Sequence, residues 1–180
     1  MTRLSLILLA LSVPASPLRA EEKPAAPAAP VAPAFDGNFL GMDILAAHLG
    51  IVLDVSDSMK PVLPTIQEAL RRQMPKTPVL HVDGCKLERP DPRPRIVRGV
   101  APETATAISA LGEHAGATAV LWITDLGDPP NKAGLEALDE MLEEREIRLF
   151  LLSLKNKPTP SLRKISIESE GVWELVSLPR

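Results

Sequence analysis

The stretch GIVLDVSDSMKPV, residues 50 to 62, ends an apolar run with Asp54 and sets Ser56, Asp57 and Ser58 close behind it. Asp54, Ser56 and Ser58 stand at i, i+2 and i+4. Alternate residues of an extended or looping segment project to one side, so these side-chain oxygens can converge. A second acidic residue, Asp125, closes another strand-like run, TAVLWITDL. Hard divalent cations prefer oxygen ligands and usually keep several waters. Two hydroxyls and two carboxylates therefore form a half-shell for such an ion, with one position left open. The competing reading of DVSDS is helix capping by Ser56, Asp57 or Ser58. Capping explains one such residue, but it does not require three at alternate positions. Asp57 reads as a bystander facing away. Taken alone, Asp125 reads as a strand-end residue closing a turn with LGDPP, and Asp128 as part of that turn or a cap for the helix starting near Asn131.

These side chains need elements to hold them. HLGIVLDVS (48–56) is a near-continuous apolar run, as expected of a strand covered on both faces. KPVLPTIQEALRRQM (60–74) places Val62, Leu63, Ile66, Leu70 and Met74 at helical spacing, with Pro64 expected to disturb the first turns. TPVLHVDG (77–84) reads as a strand and RPRIVRGV (93–100) as a short edge strand beside prolines. PETATAISALGEHAG (102–116) reads as a helix, with Pro102 in its first turn and Gly116 at its end. TAVLWITDL (118–126) is a second strong buried strand. The helix NKAGLEALDEMLEERE (131–146) follows, with Leu135, Leu138, Met141 and Leu142 inward. A strand IRLFLLSL (147–154), a helix TPSLRKISIESEG (159–171) and a strand VWELVSL (172–178) complete the chain. The alternation predicts an α/β fold: a doubly wound, mostly parallel sheet with helices on both faces. Ligands of such folds sit at the carboxyl ends of the strands, often where the strand order reverses, and Asp54 and Asp125 would face one crevice there.

At this point the chain resembles the von Willebrand factor A family and its metal-ion-dependent adhesion site. That signature is Asp-x-Ser-x-Ser after the first strand, a Thr from a later loop, and an Asp closing the fourth strand. Asp54, Ser56 and Ser58 match the first element and Asp125 the last, over roughly residues 44 to 178. The closing SLRKISIESEGVWELV is similar to the family's final helix, turn and strand. The resemblance implies Ser56 and Ser58 as direct ligands, with Asp54 and Asp125 direct or acting through water. It implies Mg²⁺, or Mn²⁺ or Ca²⁺, as the cation, and a partner protein whose Asp or Glu carboxylate completes the shell. For the threonine, RGVAPETATAISAL offers Thr104 and Thr106. Thr104 is preferred because Thr106 falls further into the helical pattern. The family's Asp is commonly followed by Gly, whereas Leu126 intervenes here before Gly127. The span from Asp54 to Asp125 is short for the family, as if a hairpin or helix were trimmed.

The rest of the 180-residue chain bounds the function. Residues 1–20 have the layout of a secretory signal: a positive start, the apolar LSLILLALSV, and SPLRA ending in a small residue. That run is shorter than the ~20 residues of a spanning helix, so no membrane span is expected in the mature form. Residues 21–35, EEKPAAPAAPVAPAF, read as a Pro/Ala-rich spacer, leaving 36–180 as one domain of an exported, periplasmic or secreted protein. A net charge of −3 and 3% aromatic residues give no sign of nucleic-acid binding. The single cysteine, Cys85, excludes an intramolecular disulfide. His81, Asp83 and Cys85 alternate in HVDGC, yet no further His/Cys pair supports zinc. KLERPDPRPRIVR (86–98) carries five basic and two acidic residues and reads as a solvated, proline-stiffened hairpin. The expected function is cation-dependent protein binding without catalysis. Its rivals are a metal-dependent hydrolase using the same site, for which no general base is visible, and a structural domain with a vestigial site. Oligomeric state is not legible.

Overall fold

The computed structural model describes residues 31–84, 87, 96, 99–127 and 130–178. The secretory-type segment, most of the Pro/Ala run, Cys85, Asp128 and most of the basic 86–98 stretch lie outside the described residues.

Two strands, β1 (Phe35–Phe39) and β2 (Met42–Ala46), form an antiparallel hairpin ahead of the main sheet. The elements that follow are β3 (Leu49–Asp54), α1 (Leu63–Gln73), β4 (Val79–Val82), β5 (Val100–Ala101), α2 (Thr104–Ala115), β6 (Ala119–Thr124), α3 (Lys132–Glu144), β7 (Arg148–Ser153), α4 (Pro160–Glu168) and β8 (Trp173–Leu175). Among the described residues the main sheet has six strands in the order β5-β4-β3-β6-β7-β8, every pairing parallel. The chain therefore starts in the middle at β3, winds outward to β5, and returns to β3's other flank to lay down β6, β7 and β8. This is the expected doubly wound α/β architecture, and its point of reversal lies between β3 and β6.

The period of two along each strand divides the core into two layers. Val52, Val120, Trp122, Leu149 and Leu151 face one cluster with Ala105, Ile108 and Leu111 of α2, Leu135 and Leu138 of α3, and Leu162 and Ile165 of α4. Leu49, Ile51, Leu53, Leu121, Ile123 and Leu152 face the other, closed by Ile66 and Leu70 of α1 and by Phe39, Met42 and Ile44 of the hairpin. β3 and β6 are buried along their whole length, which is why they read as unbroken apolar runs rather than alternating ones.

The hairpin corrects the sequence reading, which assigned no element to residues 36–47. Its turn uses Leu40 and Gly41, both at positive φ (51° and 97°), as a two-residue hairpin turn demands. Asn38 Oδ1 accepts from Gly41 N at 2.9 Å, and Asn38 Nδ2 donates to Asp43 Oδ1 at 2.7 Å. The end of the presumed spacer also belongs to the folded unit. Ala32 is buried, its N–H donates to Ala115 O at 2.7 Å, and Leu49 N donates to Pro33 O at 2.9 Å. These contacts lie at the amino-terminal edge of the sheet.

Other boundaries shift for local reasons. α1 begins at Leu63, so Pro64 sits in the first turn, where its missing N–H costs nothing, and a short 3-10 turn, Asp57–Met59, precedes it. α2 begins at Thr104, leaving Pro102 ahead of the helix, and ends on Gly116 in the left-handed region. Asn131 caps α3, its side chain accepting from Gly134 N at 2.7 Å, and so takes the role considered for Asp128. Of the predicted 93–100 edge strand, Val100 falls in β5 (Val100–Ala101), and most of the rest lies outside the described residues.

Candidate functional site

Parallel pairing puts the carboxyl ends of β3 and β6 side by side, with Leu53 opposite Ile123. Asp54 is the last residue of β3, and Asp125 follows the last residue of β6. Both are buried, Asp54 at 0% and Asp125 at 3% exposure. The structure thus sets Asp54 and Asp125 at adjacent strand ends, at the reversal point of the sheet.

Asp54 organises the surrounding loops. Its Oδ1 accepts from Ser56 N at 2.9 Å and from Gly84 N at 3.1 Å, and its Oδ2 accepts from Thr124 Oγ1 at 2.9 Å. One carboxylate therefore ties together the loop after β3, the loop after β4 and the end of β6. With two acceptor sites per oxygen, Oδ1 is saturated, and Oδ2 keeps one lone pair free of partners among the described residues. Behind Asp54, the hydroxyls of Ser56 and Ser58 lie 3.2 Å apart, Ser56 half-buried and Ser58 exposed. Asp57 turns to solvent and pairs with Lys60 at 2.7 Å, both side chains largely exposed. The Lys60 hydrogen bond, then its charge, hold the Asp57 carboxyl below its ordinary range.

Asp125 is arranged differently. Its Oδ1 accepts from Gly127 N at 2.9 Å, but its buried Oδ2 has no hydrogen-bond partner among the described residues. A Cβ placed on Gly127 would stand 3.1 Å from Asp125 Oδ1 and 3.7 Å from Ser58 Oγ. The space between Asp125 and Ser58 is thus kept open by the absence of a side chain at 127. Leu126, between them, holds φ +53°, a region that L side chains rarely adopt. Its N–H donates to Thr124 Oγ1 at 3.1 Å.

Thr104 and Thr106 share one state. Both are buried, and neither hydroxyl has a hydrogen-bond partner among the described residues. Thr104 is the first residue of α2, the helix leaving the carboxyl edge after β5, and Thr106 lies two residues deeper.

Buried polar atoms are nearly always paired, and an unpaired carboxylate oxygen is costly. The oxygens of Asp125, the serines and Thr104 have the hard character that Mg²⁺, Mn²⁺ or Ca²⁺ takes, and the gap beside Gly127 leaves room. By their donor chemistry these oxygens suit a divalent cation. Among the described residues no three His, Cys, Asp or Glu side chains gather as a metal cluster. The His81/Asp83/Cys85 triplet cannot be assembled from them, because Cys85 lies outside.

His48 Nδ1 lies 2.8 Å from Ala32 O at the amino-terminal edge. His81 lines a depression with Leu53, Leu70 and Met74 on the α1 face, and His114 is in the last turn of α2.

Three contributors escaped the sequence reading: Thr124, whose hydroxyl links Asp54 to the Leu126 amide, Gly84, and Asn156. The Thr immediately before Asp125 in WITD was the visible signal for the first.

Compared with known proteins, the chain matches no family model, no curated sequence and no solved structure.

Proposed function

We propose that the chain is an exported, von Willebrand A-like domain that binds a divalent cation and, through it, an acidic side chain of a partner protein. The observation that carries this reading is the buried Asp125 carboxyl: its Oδ2 has no hydrogen-bond partner among the described residues, and its Oδ1 borders, with Ser58 Oγ, the space left open at Gly127. Asp54, Ser56, Ser58, Thr104 and Asp125 would hold the ion. When bound, the cation supplies a positive centre with a free position for a carboxylate, in a partly dry crevice where charge attraction exceeds its value in water.

The chain's own residues divide the work. Asp54, already accepting three hydrogen bonds, positions the Ser56 loop and would offer the Oδ2 lone pair that has no partner among the described residues, or act through a bridging water. Ser56 and Ser58 contribute hydroxyls without adding charge, so the ion stays incompletely neutralised and attractive to a partner's carboxylate. Gly127 leaves the approach open. The Pro/Ala segment joins the domain near Ala32, at the sheet edge opposite the crevice, so a tether there leaves the crevice facing outward. Among the described residues no helix is long and apolar enough to cross a membrane.

The test is partner capture from extracts of the source organism, run in Mg²⁺ and in excess EDTA. A partner is expected to bind only with Mg²⁺ and to be lost with Ser58→Ala. A partner retained equally in EDTA would overturn the mechanism.

A further inference from the structure

Asn156 lies in the loop between β7 and α4, far from the Asp-x-Ser-x-Ser loop in sequence, yet it grips the other carboxylate's turn. Its Nδ2 donates to Asp125 O at 2.9 Å and to Leu126 O at 3.2 Å, and its backbone N donates to Asp125 O at 3.3 Å. The Asn156 carbonyl is held in turn by the Ser153 hydroxyl at the end of β7. Two successive carbonyls are thus fixed from one amide, on either side of the Leu126 φ.

Leu126 needs such a fixture. It occupies the left-handed region at φ +53°, which costs a branched residue free energy unless the surroundings over-determine it. Its buried side chain and its N–H bond to Thr124 Oγ1 hold it on one side, and Asn156 holds it on the other. If Leu126 relaxed to negative φ, the peptide after Asp125 would rotate. Gly127 N would then leave Asp125 Oδ1, the one hydrogen bond among the described residues that sets the carboxyl group's rotation.

We infer that Asn156 is a positioning residue, clamping the 125–127 turn so that the free oxygen of Asp125 is aimed at the cation. This deepens, and rests on, the cation-binding reading above. It also makes the β7–α4 loop a structural part of the site although it supplies no ligand.

The test compares wild type with Asn156→Ala by amide hydrogen exchange in EDTA and by Mn²⁺ titration. Exchange at Gly127 is expected to rise at least about tenfold while Val120 and Trp122 in β6 are unchanged, because the loss is local. Mn²⁺ affinity is expected to fall about tenfold, the lower end for removing an outer-shell support. Unchanged Gly127 exchange would overturn the inference, as would a parallel rise at all three amides, which would mark a general loss of stability. If wild type binds no Mn²⁺, the cation-binding reading fails, and the exchange pattern by itself then decides whether the clamp exists.

Discussion

On the proposed cation-binding reading, replacing Asp125 with Asn is expected to reverse the order of stability of the two proteins when a cation is added. In EDTA the wild type carries a carboxyl group that is 3% exposed, with one oxygen unpaired among the described residues, at the end of the strand next to that bearing Asp54. An unpaired buried polar group costs ~1–3 kcal/mol, and a charged one more. Asn keeps the oxygen that accepts from Gly127 N and removes the charge, so it is expected to relieve ~1–2 kcal/mol of that cost. For a domain of this size each kcal/mol moves the midpoint by about 2–4 °C, so Asp125→Asn melts above wild type by about 2–8 °C in EDTA. On the same reading, ligation at a hundred times Kd is expected to stabilise wild type by ~2.7 kcal/mol, or about 5–11 °C, and to leave the variant where it was. Differential scanning calorimetry in EDTA and in Mg²⁺ reads both effects. A variant that melts below wild type in EDTA, with neither protein moved by Mg²⁺, would refute the reasoning.

Other substitutions separate the site from its scaffold. Thr124→Val removes the donor to Asp54 Oδ2 and the acceptor for Leu126 N, and is expected to cost ~1–3 kcal/mol of stability and at least about tenfold in cation affinity. Thr124→Ser keeps the hydroxyl and should restore most of the affinity, as titration of both variants would show. Gly171→Ala would place a Cβ 1.9 Å from the Leu149 carbonyl oxygen, a backbone atom that cannot step aside, and should destabilise by about 3 kcal/mol or more in urea melts. Gly112→Ala meets only the flexible end of Ile147 at 2.9 Å and should cost far less in the same melts. Asp57→Asn should leave cation affinity within about twofold, since the Asp57–Lys60 pair is exposed and screened. The Asp57 carboxyl is held below 3.8, so the pair's small contribution to stability is present above that pH and fades as pH falls through the lowered value. A pH-dependent melt of Asp57→Asn against wild type checks that sign.

The parallel sheet was legible because its two central strands are buried on both faces and so appear as apolar runs that nothing interrupts until Asp54 and Asp125. The crevice followed from those two strand ends. The β1–β2 hairpin was not legible. Its inward residues, Phe39, Met42, Ile44 and Ala46, are few, its turn centres on Leu40-Gly41 rather than an Asn-Gly pair, and it abuts a Pro/Ala run. Thr124 and Asn156 were missed for a different reason. Their roles exist only across long separations, 70 residues from Thr124 to Asp54 and 31 from Asn156 to Asp125, which no local pattern records. Thr104 and Thr106 remain alike in the folded chain, because both hydroxyls are buried without a partner among the described residues.

The measurement closest to the central claim is isothermal titration of Mg²⁺ or Mn²⁺ into the purified, EDTA-stripped protein. Binding of one ion per chain, lost in Asp125→Asn and weakened in Ser58→Ala, is the expected result. No binding by wild type, or equal binding by wild type and Asp125→Asn, would contradict it.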